Sequence, residues 1–402
     1  MPTMEIRKLT KKEMPKVLKL HQYAYGFWSD QEVREEDHDF IIPENTIGVF
    51  DKKDLLSVLT IMKTKQSIRG VLKMMGGISM VGTYPEARMK GYTRSLMQKA
   101  FQKMKDEGFS VSMLEPFRET FYDKFGYVPA YEKYRLQAPL DGLRVKANHE
   151  INDDLEIERV SGQEVKDAYM AFIQDFAPSA FHGYAFNPVI SDEEWKRRNK
   201  DRHYVLVKKG GKIEALARFK FKGYMHFEEP GQLQIEEMYW RNLPAQAALF
   251  NFFSKHRDQF QKLIMILPYG TNFQHWFEDL RDWIQIKVWH PWMIRVIDVK
   301  EALSGLPATE KGELVFTLSD SQCEWNTGTY LLKSNGKQLQ IQPTTQATKT
   351  ALTIHGLSAL VYGTHSLEEI EYAQWLKGAD KQTRELLQNW FPQLPLYSPY
   401  TY

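Results

Sequence analysis

The sequence predicts an α/β protein of three domains, and three observations lead to this prediction. The chain has 402 residues, which at roughly 150 residues per domain suggests two or three domains. Strand-like and helical segments alternate through the first part and recur in the same order through the middle part. The remaining part begins with hairpin strands and continues with helices, which indicates a different fold.

Composition and charge limit the class of protein. Apolar residues make up 43% of the chain and charged residues 26%, the balance of a folded soluble protein. The 53 basic and 51 acidic residues give a net charge of +2, too weak for a dedicated nucleic-acid binder. No apolar run approaches the ~18 residues of a membrane span. The single cysteine, Cys323, excludes an internal disulfide framework. We therefore expect a cytoplasmic globular protein, without a metal site.

Strands and helices alternate in the first two parts. The first part predicts strands at residues 5–9, 46–50, 55–64, 71–81, 110–114 and 130–136, and helices at 11–25, 92–107 and 117–125. The middle part predicts strands at 204–208, 213–219, 232–240 and 263–267, with a helix at 245–256. We interpret it as a second copy whose turn, Arg241-Asn242-Leu243-Pro244, has lost its glycine.

The last part predicts strands at 314–318, 329–333 and 338–341, and helices at 358–363, 366–375 and 381–390. Asn335-Gly336 is a strong hairpin dipeptide between two of these strands. The final segment, residues 391–402, contains three prolines and three tyrosines. Prolines lower the entropic cost of holding an extended segment, so we expect an ordered tail.

The most specific local signal lies between a strand and a helix, at Val81-x-Thr83-x-Pro85-x-x-Arg88-x-x-Gly91-Tyr92-Thr93. The first N–H groups of a helix lack intrahelical partners, and with the helix dipole they form an anion site suited to a pyrophosphate. Gly91 lets a phosphate approach the backbone because it has no Cβ. Arg88, Lys90 and Arg94 add positive charge. An ordinary βα turn with basic residues in water is the alternative interpretation.

A second signal follows at Phe121-Tyr122-x-x-Phe125-Gly126-Tyr127. Together with Arg88-x-x-Gly91-x-Thr93 it resembles the acetyl-CoA signature of GCN5-related N-acetyltransferases, and the whole chain resembles the Eis-type (enhanced intracellular survival) enzymes. The resemblance implies an α/β (α+β) architecture of tandem acetyltransferase folds plus a sterol-carrier-like α+β domain. Residues 1–145 would bind acetyl-CoA, 146–292 would be a degenerate second copy, and 293–402 would be the sterol-carrier-like domain with a catalytic C-terminal tail.

The resemblance also implies roles for individual residues. The strand that binds the pantetheine arm would be Val81, Gly82 and Thr83. The pyrophosphate would be held by Arg88, Met89, Lys90, Gly91, Tyr92, Thr93 and Arg94, with further cofactor contacts from Phe117 and Arg118. Tyr122 matches the family's proton donor. Tyr402 matches the terminal residue whose α-carboxylate is taken as the base, although the family has Phe there.

The chemistry of acetyl transfer suits these residue types. An amine that attacks a thioester expels a thiolate, and a tyrosine hydroxyl with a reference pKa of ~10 keeps its proton available at neutral pH. An α-carboxylate with a reference pKa of ~3.5 is a weak base, so we expect it to hold the ammonium and relay its proton. The loop pair Phe27 and Trp28 suits a cationic amine; packing in the core is an equal alternative.

We therefore predict an enzyme that moves an acetyl group from acetyl-CoA to a primary amine in a ternary complex, without a covalent enzyme intermediate. Aminoglycosides, polyamines and lysine side chains all fit as acceptors. The resemblance further implies a homo-oligomer, a hexamer. Two alternatives stay open. One is another tandem acyltransferase with a long-chain acyl or aminoacyl donor, and the other is a non-enzymatic carrier of lipid or CoA.

Overall fold

The computed structural model describes residues 4–26, 42–130, 133–144, 154–223, 231–268, 270–278, 284–289 and 292–399. These residues form an α/β structure with three β-sheets, as the sequence predicts. None of the helices that the structure describes is both long enough and apolar enough to cross a membrane.

The first part of the chain supplies one sheet and the helices on its two faces. Its elements are β1 Met4–Lys8, α1 Met14–Tyr25, β2 Thr46–Asp51, β3 Asp54–Ile68, β4 Val71–Thr83, α2 Tyr92–Asp106, β5 Val111–Leu114, α3 Glu119–Asp123, β6 Val128–Pro129 and β7 Lys133–Pro139. Side chains alternate between the faces of a strand. Val58 of β3 therefore packs with α1, while its neighbour Leu59 packs with α2.

The middle part supplies the second sheet. Its elements are β8 Glu156–Ser161, α4 Lys166–Ala180, β9 Ala185–Phe186, α5 Asp192–Arg198, β10 His203–Lys209, β11 Lys212–Lys222, β12 Gln232–Trp240, α6 Leu243–Ser254, β13 Lys262–Pro268, β14 Gln285–Trp289 and β15 Met293–Val296. Helix α6 is almost entirely apolar and buries its residues against this sheet. The predicted second copy of the fold is therefore confirmed.

The two sheets exchange equivalent strands. The first sheet runs β1-β2-β3-β4-β5-β15-β6, and the second, from its opposite edge, runs β8-β10-β11-β12-β13-β7-β14. Strand β7 comes from the first part but pairs with β13 and β14, whereas β15 follows the second part but pairs with β5 and β6. The strand predicted at residues 130–136 is observed as β7. The domain boundaries at 145/146 and 292/293 stay predictions.

The last part forms a separate sheet in the order β18-β17-β16-β19-β20. Its elements are α7 Val299–Leu303, β16 Lys311–Ser319, β17 Gly328–Asn335, β18 Leu339–Pro343, β19 Ala351–Thr353, α8 Ile354–Tyr362, α9 Leu367–Tyr372, β20 Leu376–Lys377 and α10 Lys381–Trp390. The predicted hairpin at Asn335-Gly336 is confirmed, and Gly336 adopts the left-handed φ of +87° that the turn requires. Apolar side chains of α8 join those of β15 in one core.

Arg69 ties the first sheet to the last part of the chain. It lies in the β3–β4 turn, and its guanidinium donates to the carbonyls of Leu360 (2.8 Å) and Val361 (2.9 Å) at the end of α8. The last carbonyls of a helix lack intrahelical partners and attract cations. The same guanidinium donates to Pro392 O at 2.9 Å. Burial lowers the pKa of Arg69 to about 10, so the side chain stays charged at neutral pH.

Arg295 of the exchanged strand β15 makes a second, fully buried connection. Its guanidinium pairs with the Asp320 carboxylate at 2.6 Å, and both side chains have 0% exposure. It also donates to Phe125 O after α3 and lies 4.4 Å from the ring centroid of Phe101 in α2. One cation therefore joins an exchanged strand, two elements of the first part and the last part.

We expect Arg295→Met to lower the free energy of unfolding by about 3–5 kcal/mol, because it leaves the Asp320 carboxylate buried without its cation. Urea denaturation measures the loss. The control is Lys333→Met, which removes an ion pair to Glu313 whose two side chains are 48% and 63% exposed; it should cost less than about 1 kcal/mol. Equal losses in the two variants would contradict the role assigned to Arg295.

Candidate active site

A cleft opens where β4 continues beyond its parallel partner β5. The pairing of the two strands ends at Ile78 and Leu114, while β4 continues to Thr83. Met80, with a φ of +52°, lies in a register shift between β3 and β4, and such a bulge bends the strand. The resulting cleft has a volume of about 1030 Å³ and is lined by α1, β4, the start of α2 and the segment after β5.

The loop between β4 and α2 leaves helix amides without partners. Met89 and Gly91 adopt left-handed φ values of +62° and +81°, and Gly91 is the N-cap of α2, with no side chain capping the first turn. Among the described residues, the amides of Tyr92 and Thr93 therefore lack an acceptor. The positive end of the helix dipole lies at the same place, so the loop forms an anion site.

Basic side chains line the same cleft as this anion site. Arg88 donates from Nε to Thr83 O at 3.3 Å, which places it at the start of the loop. Arg94 of α2 and Lys124, just after α3, also line the cleft. The cleft therefore suits a ligand with several phosphate charges.

The equivalent helix of the second sheet caps its own N-terminus. Asn242 is the N-cap of α6, and its Oδ1 accepts from the Ala245 amide at 2.9 Å. Pro244, in the first turn, has no N–H to donate. In the first turn of α6, the glycine-free turn after β12 therefore pairs one amide and a proline removes another, whereas no side chain caps the first turn of α2.

Tyr122 brings a hydroxyl to the same cleft. It lies in α3 with 3% exposure, and its ring meets those of Phe117 and Phe121 edge-to-face at 5.7 and 5.1 Å. Burial, with a smaller contribution from Tyr25, raises the pKa of Tyr122 above its usual value. No described residue hydrogen-bonds to the hydroxyl, which therefore stays protonated at neutral pH and available to a bound group.

Tyr25 is a cleft residue that sequence reasoning missed. It ends α1, and its hydroxyl donates to Val81 O at 2.9 Å. Burial raises its pKa to about 12. His21, one helical turn earlier, contacts Met80 O through Nε2 at 2.9 Å. The four-residue spacing of His21 and Tyr25 on one helix face was the available signal that both side chains meet β4.

Glu115 and Lys124 also line the cleft and were not predicted as site residues. Glu115 directly follows β5, which ends at Leu114. A charged residue immediately after a buried strand was the available signal. Burial raises the pKa of Glu115, and the positive charge of Lys133 opposes that rise.

The structure brings most of the predicted site residues together. Those that line the cleft are Val81, Gly82, Thr83, Arg88, Met89, Gly91, Tyr92, Thr93, Arg94, Phe117 and Tyr122. Lys90 and Arg118 lie next to lining residues without lining the cleft themselves. Phe27, Trp28 and Tyr402 lie outside the described residues, so their roles stay predictions.

Gly82 lines the cleft and also allows α1 to pack closely against β4. A Cβ at this position would lie 2.2 Å from Cδ2 of Leu20 in α1. The absence of a side chain therefore lets α1 approach β4 closely, beside the bulge at Met80.

Hydrogen bonds hold the described part of the C-terminal tail against the second part of the chain. The Tyr397 amide donates to His182 O at 3.0 Å, and Ser398 Oγ accepts from the Ala185 amide at 3.2 Å. Both tail residues are buried. The prediction of an ordered tail is confirmed as far as residue 399, whereas Tyr402 lies beyond the described residues.

Family comparisons agree with this architecture. Residues 5–130 and residues 187–296 each match a family described as an acetyltransferase (GNAT) domain, and residues 299–399 match a sterol carrier protein domain. The two acetyltransferase matches together span more than half of the chain. The chain belongs to the GCN5-related N-acetyltransferases. Its domain order, two acetyltransferase domains before a sterol-carrier domain, is the Eis-type arrangement.

Individual proteins show the same relationship. An uncharacterized N-acetyltransferase of Streptomyces coelicolor is 22% identical over 295 residues, 71% of each chain. A crystal structure of a GCN5-related N-acetyltransferase from Anabaena variabilis has a TM-score of 0.85 at 19% identity, covering 98% of this chain and 99% of that one. Eis1 from Mycobacterium abscessus has a TM-score of 0.79 at 13% identity, covering 99% and 100%. The two structural similarities establish a shared fold.

The domain matches make the protein an acetyltransferase enzyme, and the fold implies that acetyl-CoA is its acetyl donor. The cleft fits acetyl-CoA in its size and in its basic lining residues. The amides that lack partners at the start of α2 fit the diphosphate of this donor. Within the described residues, no group of three or more His, Cys, Asp or Glu side chains could hold a metal ion.

Gly91→Ala should raise the Kd for acetyl-CoA about tenfold, because alanine disfavours the left-handed φ that directs the loop amides into the cleft. Isothermal titration measures the Kd. Gly108→Ala is a matched control: Gly108 follows the same helix with a φ of +76°, and a Cβ at either glycine meets nothing within 4 Å. An equal loss of affinity in both variants would assign the effect to general strain rather than to the loop.

Proposed function

We propose that this enzyme transfers the acetyl group of acetyl-CoA to a primary amine that attacks the thioester directly. One observation carries the proposal: the free amides of α2 and the Tyr122 hydroxyl meet in a single cleft. An anion site and a proton donor at one place suit a donor that carries both a diphosphate and a thioester.

The geometry of the cleft supports the binding roles that we propose. The amides at the start of α2, with Arg88 and Arg94, would hold the diphosphate of acetyl-CoA. The end of β4 lies unpaired by β5 and lines the same cleft, so its backbone is available to the pantetheine arm. Tyr25 already donates to Val81 O, so the arm would either replace that hydrogen bond or use the neighbouring backbone groups.

Tyr122 would act on the leaving group. The amine nitrogen bonds to the acetyl carbon, the carbon–sulfur bond breaks, and the sulfur leaves as a thiolate. A thiol has a reference pKa of ~8.5, well below that of Tyr122, so the hydroxyl stabilises the thiolate mainly by donating a hydrogen bond. If Tyr122 transfers its proton completely to the sulfur, the proton that the amine loses must then return to Tyr122.

Tyr122→Phe should lower kcat about 100-fold or more, because it removes the donor to the departing sulfur. The Kd for acetyl-CoA should stay within a few-fold of that of the wild type. Tyr127→Phe is the matched control: it removes a hydroxyl from the same aromatic cluster, where that group contacts Ser112 Oγ at 2.7 Å outside the cleft. A thiol-release assay measures kcat, and similar values for the wild type and Tyr122→Phe would rule out the role.

From the resemblance, we also propose that an α-carboxylate at Tyr402 accepts the proton of the amine. Removal of residues 400–402 takes this carboxylate away and should lower kcat about 100-fold. Tyr402→Phe keeps the carboxylate and should leave kcat within a few-fold of that of the wild type. A loss in the substitution as large as in the truncation would instead assign the effect to the tyrosine ring.

A thiol-release assay across aminoglycosides, polyamines and lysine peptides tests the proposed function, with mass spectrometry of the products. Acetylated product from at least one of these amines is the expected result. Release of CoA without any acylated amine would overturn the proposal. The mass of the product also identifies the acyl group. A homo-oligomer, a hexamer by resemblance, stays a prediction.

A further inference from the structure

Building on the proposed function, we propose that Glu115 binds the ammonium group of the acceptor amine and thereby selects cationic acceptors. Glu115 directly follows β5, at the edge where β4 and β5 part, and lines the cleft that contains Tyr122. Glu115 therefore lines the same cleft as the loop that begins α2, but comes from a different element of the chain.

The charges of the cleft support this assignment. Its charged lining residues are Arg88, Arg94, Lys124 and Glu115. The three basic residues suit the phosphates of the donor and would repel a cation. An alkylamine has a pKa near that of lysine, ~10.4, and arrives protonated at neutral pH. Among the described lining residues, Glu115 is the carboxylate that can attract it.

The positive charge of Lys133 helps to keep Glu115 charged. Exchanged strand β7 places Lys133, 3% exposed, where its charge opposes the effect of burial on the pKa of Glu115. The Lys133 Nζ lies 5.4 Å from the ring centroid of Trp292 and does not line the cleft. Within the described residues, Glu115 and Lys133 interact through charge without a hydrogen bond. The carboxylate therefore remains available to a ligand.

Two amines with the same carbon skeleton and different charge test the inference. Ethylamine is a cation at neutral pH, whereas 2,2,2-trifluoroethylamine is largely neutral because its fluorines withdraw electrons. Glu115→Gln keeps the size of the side chain and removes its charge. We expect it to raise the KM of ethylamine about tenfold and to leave the KM of trifluoroethylamine and the Kd of acetyl-CoA unchanged. Glu119→Gln is the matched control, because Glu119 is an exposed acid of α3 outside the cleft.

Other outcomes contradict the inference in distinguishable ways. If no amine of the panel is acetylated by the wild type, the proposed function itself fails. If the wild type acetylates ethylamine and Glu115→Gln leaves its KM unchanged, only the inference fails. A kcat loss that is equal for both amines would make Glu115 a proton acceptor rather than a binding residue. Failure of the wild type to use ethylamine while it acetylates larger amines would also contradict the inference, which requires only the ammonium group.

Discussion

A fully buried ion pair on an exchanged strand connects the first and last parts of this protein. The guanidinium of Arg295 pairs with Asp320 in the last part and donates to Phe125 O at the end of the segment that carries Tyr122. The buried pair requires both groups, because either charge alone would remain in a low-dielectric core. The segment containing the proposed proton donor is thereby fixed by contacts that come from distant parts of the chain.

The two acetyltransferase folds show how a shared architecture can serve different tasks. Both sheets have the same strand order, yet the Gly91 loop exposes helix amides while Asn242 and Pro244 satisfy or remove them in the second copy. The second sheet instead holds the exchanged strand β7, whose Lys133 interacts with Glu115 through charge, and the second part of the chain forms hydrogen bonds to the C-terminal tail. The second copy therefore supports neighbouring groups, whereas the helix amides that we propose to bind the donor belong to the first copy.

Local features could be predicted from the sequence, whereas long-range pairings could not. The Gly91 loop, the α2 face and the Tyr122 helix each depend on a short stretch of chain, so spacing and glycine positions revealed them. The position of β7 in the second sheet depends on strands more than a hundred residues away. No local sequence pattern predicts this pairing. Glu115 and Tyr25 each had a local signal, a charge after a strand and a four-residue helical spacing, but neither signal shows that the two side chains line one cleft.

The strand exchange also constrains the order in which the protein can fold during its synthesis on the ribosome. β5 is synthesised long before β15, its neighbour in the finished sheet. At typical translation rates this interval is on the order of ten seconds or more. During that time the nascent first sheet has an open edge next to β5, a row of unpaired backbone groups that favours aggregation. The first sheet therefore cannot be completed until β15, which follows the whole second part of the chain, has been synthesised.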